Sequence, residues 1–254
     1  MGLALGALVS FALAATAAVP HFDHSHAAWT AVLAEHVHAG EVDYTGLHAD
    51  GAALDGYLKT LAAVDQAEYR RWSSDESLAF WINAYNAYTV KLILMHWPVQ
   101  SIKDIGSLLK GPWKQAFIPM QRLRGATITL DSVEHEILRP EFAEPRIHFA
   151  IVCASRSCPK LRAEAYRAGD LDRQLTGAAQ GFLRDPMLNG WNPATRTLSL
   201  SPIFKWFRGD FDKAAGSLAG FVAPFMAPAA AREIGGLPPP TIEFRDYDWS
   251  LNGR

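Results

Sequence analysis

The chain has very little cysteine. Its 254 residues hold two, Cys153 and Cys158, in one short stretch, so any internal disulfide joins that pair. It also lacks an excess of either charge: 24 Lys and Arg stand against 26 Asp and Glu, a formal net charge of −2. With no basic stripe or basic tail, nucleic acid is not an expected partner. There is no internal repeat, and low complexity is confined to alanine-rich patches. Formal charge is missing from everything before Asp23 and from the run from Ser77 to Val90. What remains is ordinary globular material, 49% apolar and 20% charged, enough to bury a sizeable core.

The uncharged start reads as a leader. Leu3 to Val19 is small and apolar, and Ala15-Thr16-Ala17 fits the small-x-small pattern of signal-peptidase sites, although a basic n-region is missing. Residues 1–18 are therefore expected to be a signal peptide and residues 19–254 a single domain. The alternative is an uncleaved anchor, but about 18 alanine-rich residues are marginal for crossing a bilayer. The expected location is periplasmic or secreted, with no stable membrane span after cleavage. An oxidising compartment permits a Cys153–Cys158 disulfide, and a loop of this length brings Cα atoms within about 6 Å.

His21, His24 and His26 cluster near the start, but no cysteine or second carboxylate lies at ligand spacing, so no metal and no cofactor are assigned. Trp29, Val32, Leu33 and Val37 recur at helical spacing and predict a helix over 25–39, ended by Gly40. A second is expected over 52–63. Ser73 and Glu76 form a capping box ahead of a helix halted by Pro98. Trp81, Tyr85, Tyr88 and Leu92 make one stripe of that helix, and the uncharged run predicts that it is buried all round. Its Asn83 and Asn86 then need partners, since an unpaired buried carboxamide costs about 1–3 kcal/mol. Either they tie loop backbone together, or Asn83 orients a catalytic group and Asn86 lines a binding pocket.

A hairpin is expected from 117–119 and 126–130. Asp131 to Glu134 reads as another helix start, placing His135 in a first turn where the macrodipole favours a neutral, basic imidazole. Glu134 is either its holder or the capping partner of Asp131. Further on, helices are predicted over 170–183, 203–207 and 211–225, with a strand over 197–200 and a stiff connector over 235–240.

The stretch from Arg146 to Pro159 is the centre of the chain. Ile147 to Val152 reads as a buried strand delivering Cys153 into the loop Ala154-Ser155-Arg156-Ser157, which Cys158-Pro159 closes. Regular alternation puts Cys153 and His148 on opposite faces, so His135 is the better base. Three readings stay open. In the first, Cys153 is the nucleophile of a hydrolase or acyltransferase acting on an amide, ester or thioester. His135 is its base, Glu134 or Asn83 orients that base, and Ser155 or the loop N–H groups stabilise an oxyanion. Arg156 suits a carboxylate-bearing ligand. In the second, Cys153 and Cys158 cycle as a redox pair. In the third, the chain is a binding or scaffold domain whose cysteines are structural. The ligand, a small molecule or a peptide, is not specified.

Several blocks occur in a characteristic order: Val42-Asp43-Tyr44, Phe80 to Asn86, Ser101 to Ile105, Leu130 to Arg139, Ile147 to Pro159, Ser199 to Phe207 and Tyr247 to Asn252. In them the chain resembles the domain of unknown function 547 family over roughly residues 35–252. The resemblance implies no activity. It does imply relatives carrying this domain alone behind a signal peptide, or joined to glutaredoxin-like modules or coiled-coil segments. Some of them have Ser where Cys158 stands, which weakens any mechanism requiring both cysteines. The expected fold is α+β, mainly helical around a small mixed or antiparallel sheet, with papain- or transglutaminase-like geometry as one option.

Overall fold

A computed structural model describes residues 21–107 and 110–254; the expected leader lies outside them. The first half is helical. Helix α1 (Ala27–His36) is followed by the short pair β1 (Val37–His38) and β2 (Glu41–Val42), then α2 (Tyr44–Ala49), α3 (Ala52–Ala63), α4 (Gln66–Tyr69) and α5 (Ser74–Met95). Helix α1 stops earlier than predicted because Val37 and His38 turn extended and pair with β2. Helix α3 has the predicted bounds.

Helix α5 is the axis of the fold. Its capping box forms as expected: Glu76 N–H donates to Ser73 Oγ, and Ser73 N–H donates to Glu76 Oε2. Every residue from Ser77 to Val90 is buried, as an uncharged helix requires. The main core gathers around it, with Trp29, Tyr44, Tyr57, Ile102, Ile118 and Leu138 among its members.

The hairpin forms from β3 (Ile118–Met120) and β4 (Ala126–Ile128), antiparallel, with α6 (Gln121–Arg124) and a left-handed Gly125 between them. Next comes one helical stretch in three parts: α7 (Leu130–Ser132), a π-helical turn over Val133–Leu138, and α8 (Arg139–Glu141). Its cap is Thr129, whose Oγ1 accepts from Ser132 N–H, and not Asp131 as the sequence suggested. Pro140 has no N–H, and its ring crowds the carbonyl four residues back; the wider turn before it accommodates that.

A second hydrophobic cluster sets five phenylalanines, Phe149, Phe182, Phe204, Phe211 and Phe221, among aliphatic residues. Around it lie α9 (Leu171–Leu183), β5 (Gly190–Asn192), β6 (Thr197–Leu200), α10 (Ile203–Trp206), α11 (Arg208–Ala215), α12 (Leu218–Val222), α13 (Pro228–Ile234) and β7 (Thr241–Phe244). The single helix predicted over 211–225 is broken at Gly216, which adopts φ +74° and ends α11. Strand β6 pairs antiparallel with β5 and parallel with β7. The fold is α+β and mainly helical. Among the described residues the strands form three small sheets, of which this one is mixed. No described helix is long and apolar enough to cross a membrane.

Candidate functional site

The segment leading to Cys153 is not the expected strand. Pro145–Phe149 forms a 3-10 turn, started by Glu144, whose carboxylate accepts from Arg146 N–H. The apolar, β-branched residues are buried as predicted, but their backbone finds partners elsewhere. Asn86 Nδ2 donates to Ala150 O at 2.9 Å, and Asn86 Oδ1 accepts from Val152 N–H at 2.9 Å. One carboxamide thus does the work of a neighbouring strand. Asn83 does the same for Tyr166, donating to its carbonyl at 2.7 Å and accepting from its N–H at 2.9 Å. Both asparagines are therefore backbone clamps, and neither side chain is turned toward a catalytic histidine.

After Val152 the chain turns sharply. Ala154 is buried with φ +60°, a left-handed conformation that is uncommon and costly without glycine. This turn brings Cys158 back to Cys153, and the two are joined by a disulfide. Cys158 is buried, whereas Cys153 is partly exposed. Cys153 N–H donates to Cys158 Sγ at 2.9 Å.

The loop is held from outside by the last residues of the chain. Arg156 N–H donates to Ser250 O, Ser157 N–H to Asp248 O, and Asn252 N–H to Ala154 O. Tyr44 O–H donates to Asn252 Oδ1 at 2.8 Å. Gly253 passes so close to β2 that a Cβ there would lie 2.0 Å from Val42 O; no side chain fits. This strap delivers Tyr247, whose hydroxyl lies 3.1 Å from Cys153 Sγ and 3.3 Å from Cys158 Sγ.

The disulfide borders a cavity of about 400 Å³. Glu134 and His135 from the π-helical turn line it with Asp131, and so does His148 from the 3-10 turn. Trp113, Trp206, Phe207, Tyr247 and Trp249 supply an aromatic wall. The structure thus brings Cys153, His135 and Glu134 together, as the sequence suggested. Ser155 and Arg156 border a second groove with Lys160 and Asp248; Cys158, Pro159 and Tyr247 are common to both. Ser155 is buried, its Oγ 3.4 Å from Cys153 Sγ. The loop N–H groups of Arg156 and Ser157 are committed to the strap rather than open to an oxyanion.

His135 is not paired with the sulfur. Arg139 Nη1, which can only donate, lies 3.0 Å from His135 Nδ1, so the imidazole lone pair is already occupied. Its Nε2 faces Asp131 Oδ1 at 3.8 Å, and partial burial lowers its pKa. Nor does Glu134 hold it. The Glu134 carboxyl accepts from Tyr85 O–H at 3.2 Å, and burial pushes its pKa up to about 7.

Strand alternation turns His148 away from Cys153, but Pro145–Phe149 is a 3-10 turn and does not alternate. The His148 side chain is almost wholly buried, stacks on Phe207 with ring centroids 3.9 Å apart, and donates from Nε2 to Asp210 Oδ2 at 2.8 Å. Asp210 also takes Nε and Nη2 of Arg139 at 2.7 and 3.0 Å. The bonds from His148 and Arg139 hold Asp210 well below the usual carboxylate range. Burial pushes His148 down, and Asp210 pulls it partly back. No local signal linked Asp210 to His148, 62 residues away. Tyr247 was visible only as part of a terminal block.

Among the described residues no group of His, Cys, Asp and Glu is placed to hold a metal ion. No curated protein and no solved structure matches the chain. A family profile described as protein of unknown function, DUF547, matches residues 69–183. That segment carries α5 with both clamps, the π-helical turn, the cysteine loop and α9, and over it the chain resembles the DUF547 family.

Proposed function

We propose that the cavity is a cysteine-based reaction site and that thiol–disulfide exchange is the chemistry it supports best. The observation that carries this reading is the asymmetry of the bonded pair: Cys153 is partly exposed at the cavity wall, Cys158 is buried, and Tyr247 O–H reaches both sulfurs. An incoming thiolate attacks Cys153 Sγ, forming a mixed disulfide and releasing Cys158 as a thiolate. The Cys153 N–H and the Tyr247 hydroxyl are placed to stabilise that leaving sulfur, and a better-stabilised thiolate leaves faster. A second thiol, or Cys158 itself, then resolves the mixed disulfide. The ligand is a small or peptide thiol or disulfide with an apolar part for the aromatic wall.

The test is equilibration of the folded protein with dithiothreitol and glutathione buffers, followed by alkylation and mass spectrometry. The bond is expected to open and re-form without unfolding, with glutathione trapped on Cys153 in a Cys158→Ser variant. Reduction only after denaturation would make the disulfide a structural staple and favour the binding or scaffold reading.

A second reading is favoured by the histidines and the acid that share this cavity. Once reduced, Cys153 has the surroundings of a nucleophile toward an amide, ester or thioester. Export belongs to the same proposal, since a disulfide persists outside the cytosol. Expression with residues 1–18 intact is expected to yield a secreted or periplasmic product beginning near residue 18 or 19, read by intact mass.

A further inference from the structure

We infer that His148, held by Asp210, is the base for Cys153, and that the reduced pair forms an acyl-transfer centre distinct from the His135 arrangement read from the sequence. The inference rests on Cys153 being the reacting sulfur of the cavity. Its first ground is the tautomer. Asp210 is ionised and can only accept, so the proton of neutral His148 sits on Nε2, and Nδ1 carries the lone pair. The second is that Nδ1 is buried and, among the described residues, has no hydrogen-bond partner. His148 lines the cavity, and its Nδ1 keeps a lone pair that no described protein group fills, where buried polar atoms are normally paired. The equivalent atom of His135 is occupied by Arg139.

Arg139 therefore does two things. Through Nη1 it occupies His135, and through Nε and Nη2 it fixes Asp210, which in turn fixes the His148 ring against Phe207. The charged and titratable groups around His148 are Asp210, Arg139 and His135, with Glu134 and Asp131 beyond them on the π-helical stretch and Lys114 across the cavity. Asp210 is the one of these in hydrogen-bond contact with the ring.

Reduction of the disulfide by an external dithiol, which is itself oxidised to a disulfide, yields two thiols and frees Cys153 Sγ to turn about its χ1 into the cavity that His148 borders. The thiol proton passes to His148 Nδ1 as Sγ attacks the acyl carbon of an amide, ester or thioester. Tyr247 O–H, already within hydrogen-bond reach of Sγ, is the donor for the developing oxyanion. The leaving amine, alcohol or thiol takes the proton from His148, leaving S-acyl-Cys153. Water, deprotonated by His148, then releases the acid and restores the thiol. The aromatic wall selects an acyl group with apolar or aromatic bulk. Asp210 touches no reacting atom and acts as a positioning residue.

The experiment uses the full chain with Cys158→Ser, so that Cys153 is free without a reductant. Iodoacetamide labelling rates are followed against pH, and p-nitrophenyl acetate serves as an acyl probe, with mass spectrometry locating both adducts. Expected is labelling of Cys153 that stays fast well below the ordinary thiol pKa of about 8.5, with a burst of nitrophenolate and an acetyl group on Cys153. Asp210→Asn is expected to cut the burst rate by at least about tenfold and move the labelling profile to higher pH. His148→Gln is the direct variant, but the residue is buried; Asp210→Asn, checked for folding by circular dichroism, keeps the test decisive. A profile centred near the ordinary thiol value in the Cys158→Ser protein would overturn the inference, as would a larger loss in His135→Ala than in Asp210→Asn. If the wild-type disulfide exchanges with glutathione while the Cys158→Ser protein shows only the ordinary thiol profile, the exchange reading stands and the His148 assignment fails.

Discussion

One wall of the cavity is a single helical stretch carrying Asp131, Glu134 and His135; the other is a set of rings, Trp206, Phe207, Tyr247 and Trp249, from the second cluster and the terminal strap. The first wall is local. Its residues lie within one turn or so of each other, and His135 finds its partner Arg139 on the same stretch, although Glu134 reaches Tyr85 of α5, 49 residues away. The second wall is assembled from distant parts: Trp206 and Phe207 come from α10 and its C-cap, and Tyr247 and Trp249 arrive because the strap returns to the cysteine loop from the far end of the chain. The difference teaches that the charged side of this site is set by helix geometry, while its shape and its contact with sulfur are set by long-range backbone pairing.

The largest expected effect sharpens the first wall. Burial raises the Glu134 pKa from 4.5 to about 7. Between those values the folded protein keeps a proton that the unfolded chain has lost, so stability falls as pH rises, by about 3 kcal/mol in all at about 1.4 kcal/mol per unit. Urea unfolding is expected to show that decline in the native protein and a much flatter curve in Glu134→Gln. An equally steep curve in the variant would mean that another group carries the burden.

Asn86→Ala tests what holds the cysteine loop under both walls. It leaves Ala150 C=O and Val152 N–H unpaired in the core, at about 2–3 kcal/mol, and is expected to speed disulfide reduction as well. Asn83→Ala is expected to cost a similar amount through Tyr166 without changing the reduction rate. Equal effects on reduction would erase the distinction between the two clamps.

The second wall is broken most directly at Gly253→Ala. A Cβ pressed on Val42 O has to shift the strap, at about 1–2 kcal/mol by analogy with overpacked sites. Tryptophan fluorescence should report the displacement of Trp249. The smallest effect is on Tyr247→Phe. Losing one hydroxyl bond to the sulfurs, about 0.5–1.5 kcal/mol, should make the disulfide potential more negative by about 10–30 mV, read by glutathione equilibration. An unchanged potential would leave Tyr247 a purely shape-giving member of the aromatic wall.

Much of the helical frame was legible because its signals are short-range. The Ser73–Glu76 box, the uncharged run behind it, helix α3 and the β3–β4 hairpin are all read from residues a few positions apart. The strand predicted over 147–152 failed for a definite reason: burial and β-branching report that a segment is inside, not what satisfies its backbone, and here Asn86 does so in place of a neighbouring strand. That error also hid His148. At the site, Cys153, Glu134 and His135 border one cavity, Ser155 and Arg156 border another groove, and the two asparagines are clamps.

By itself the sequence determined the α+β, mainly helical class, the burial of α5, and the two cysteines as the only partners for each other. Periodicity, capping and composition suffice for these, because each depends on residues close in the chain. The tertiary structure alone decided that Asp210 meets His148 and Tyr247 meets the sulfurs, 62 and about ninety residues apart. It also decided that Arg139 occupies the histidine first favoured as a base. Such pairings depend on where distant backbone segments come to rest, and no local pattern encodes that.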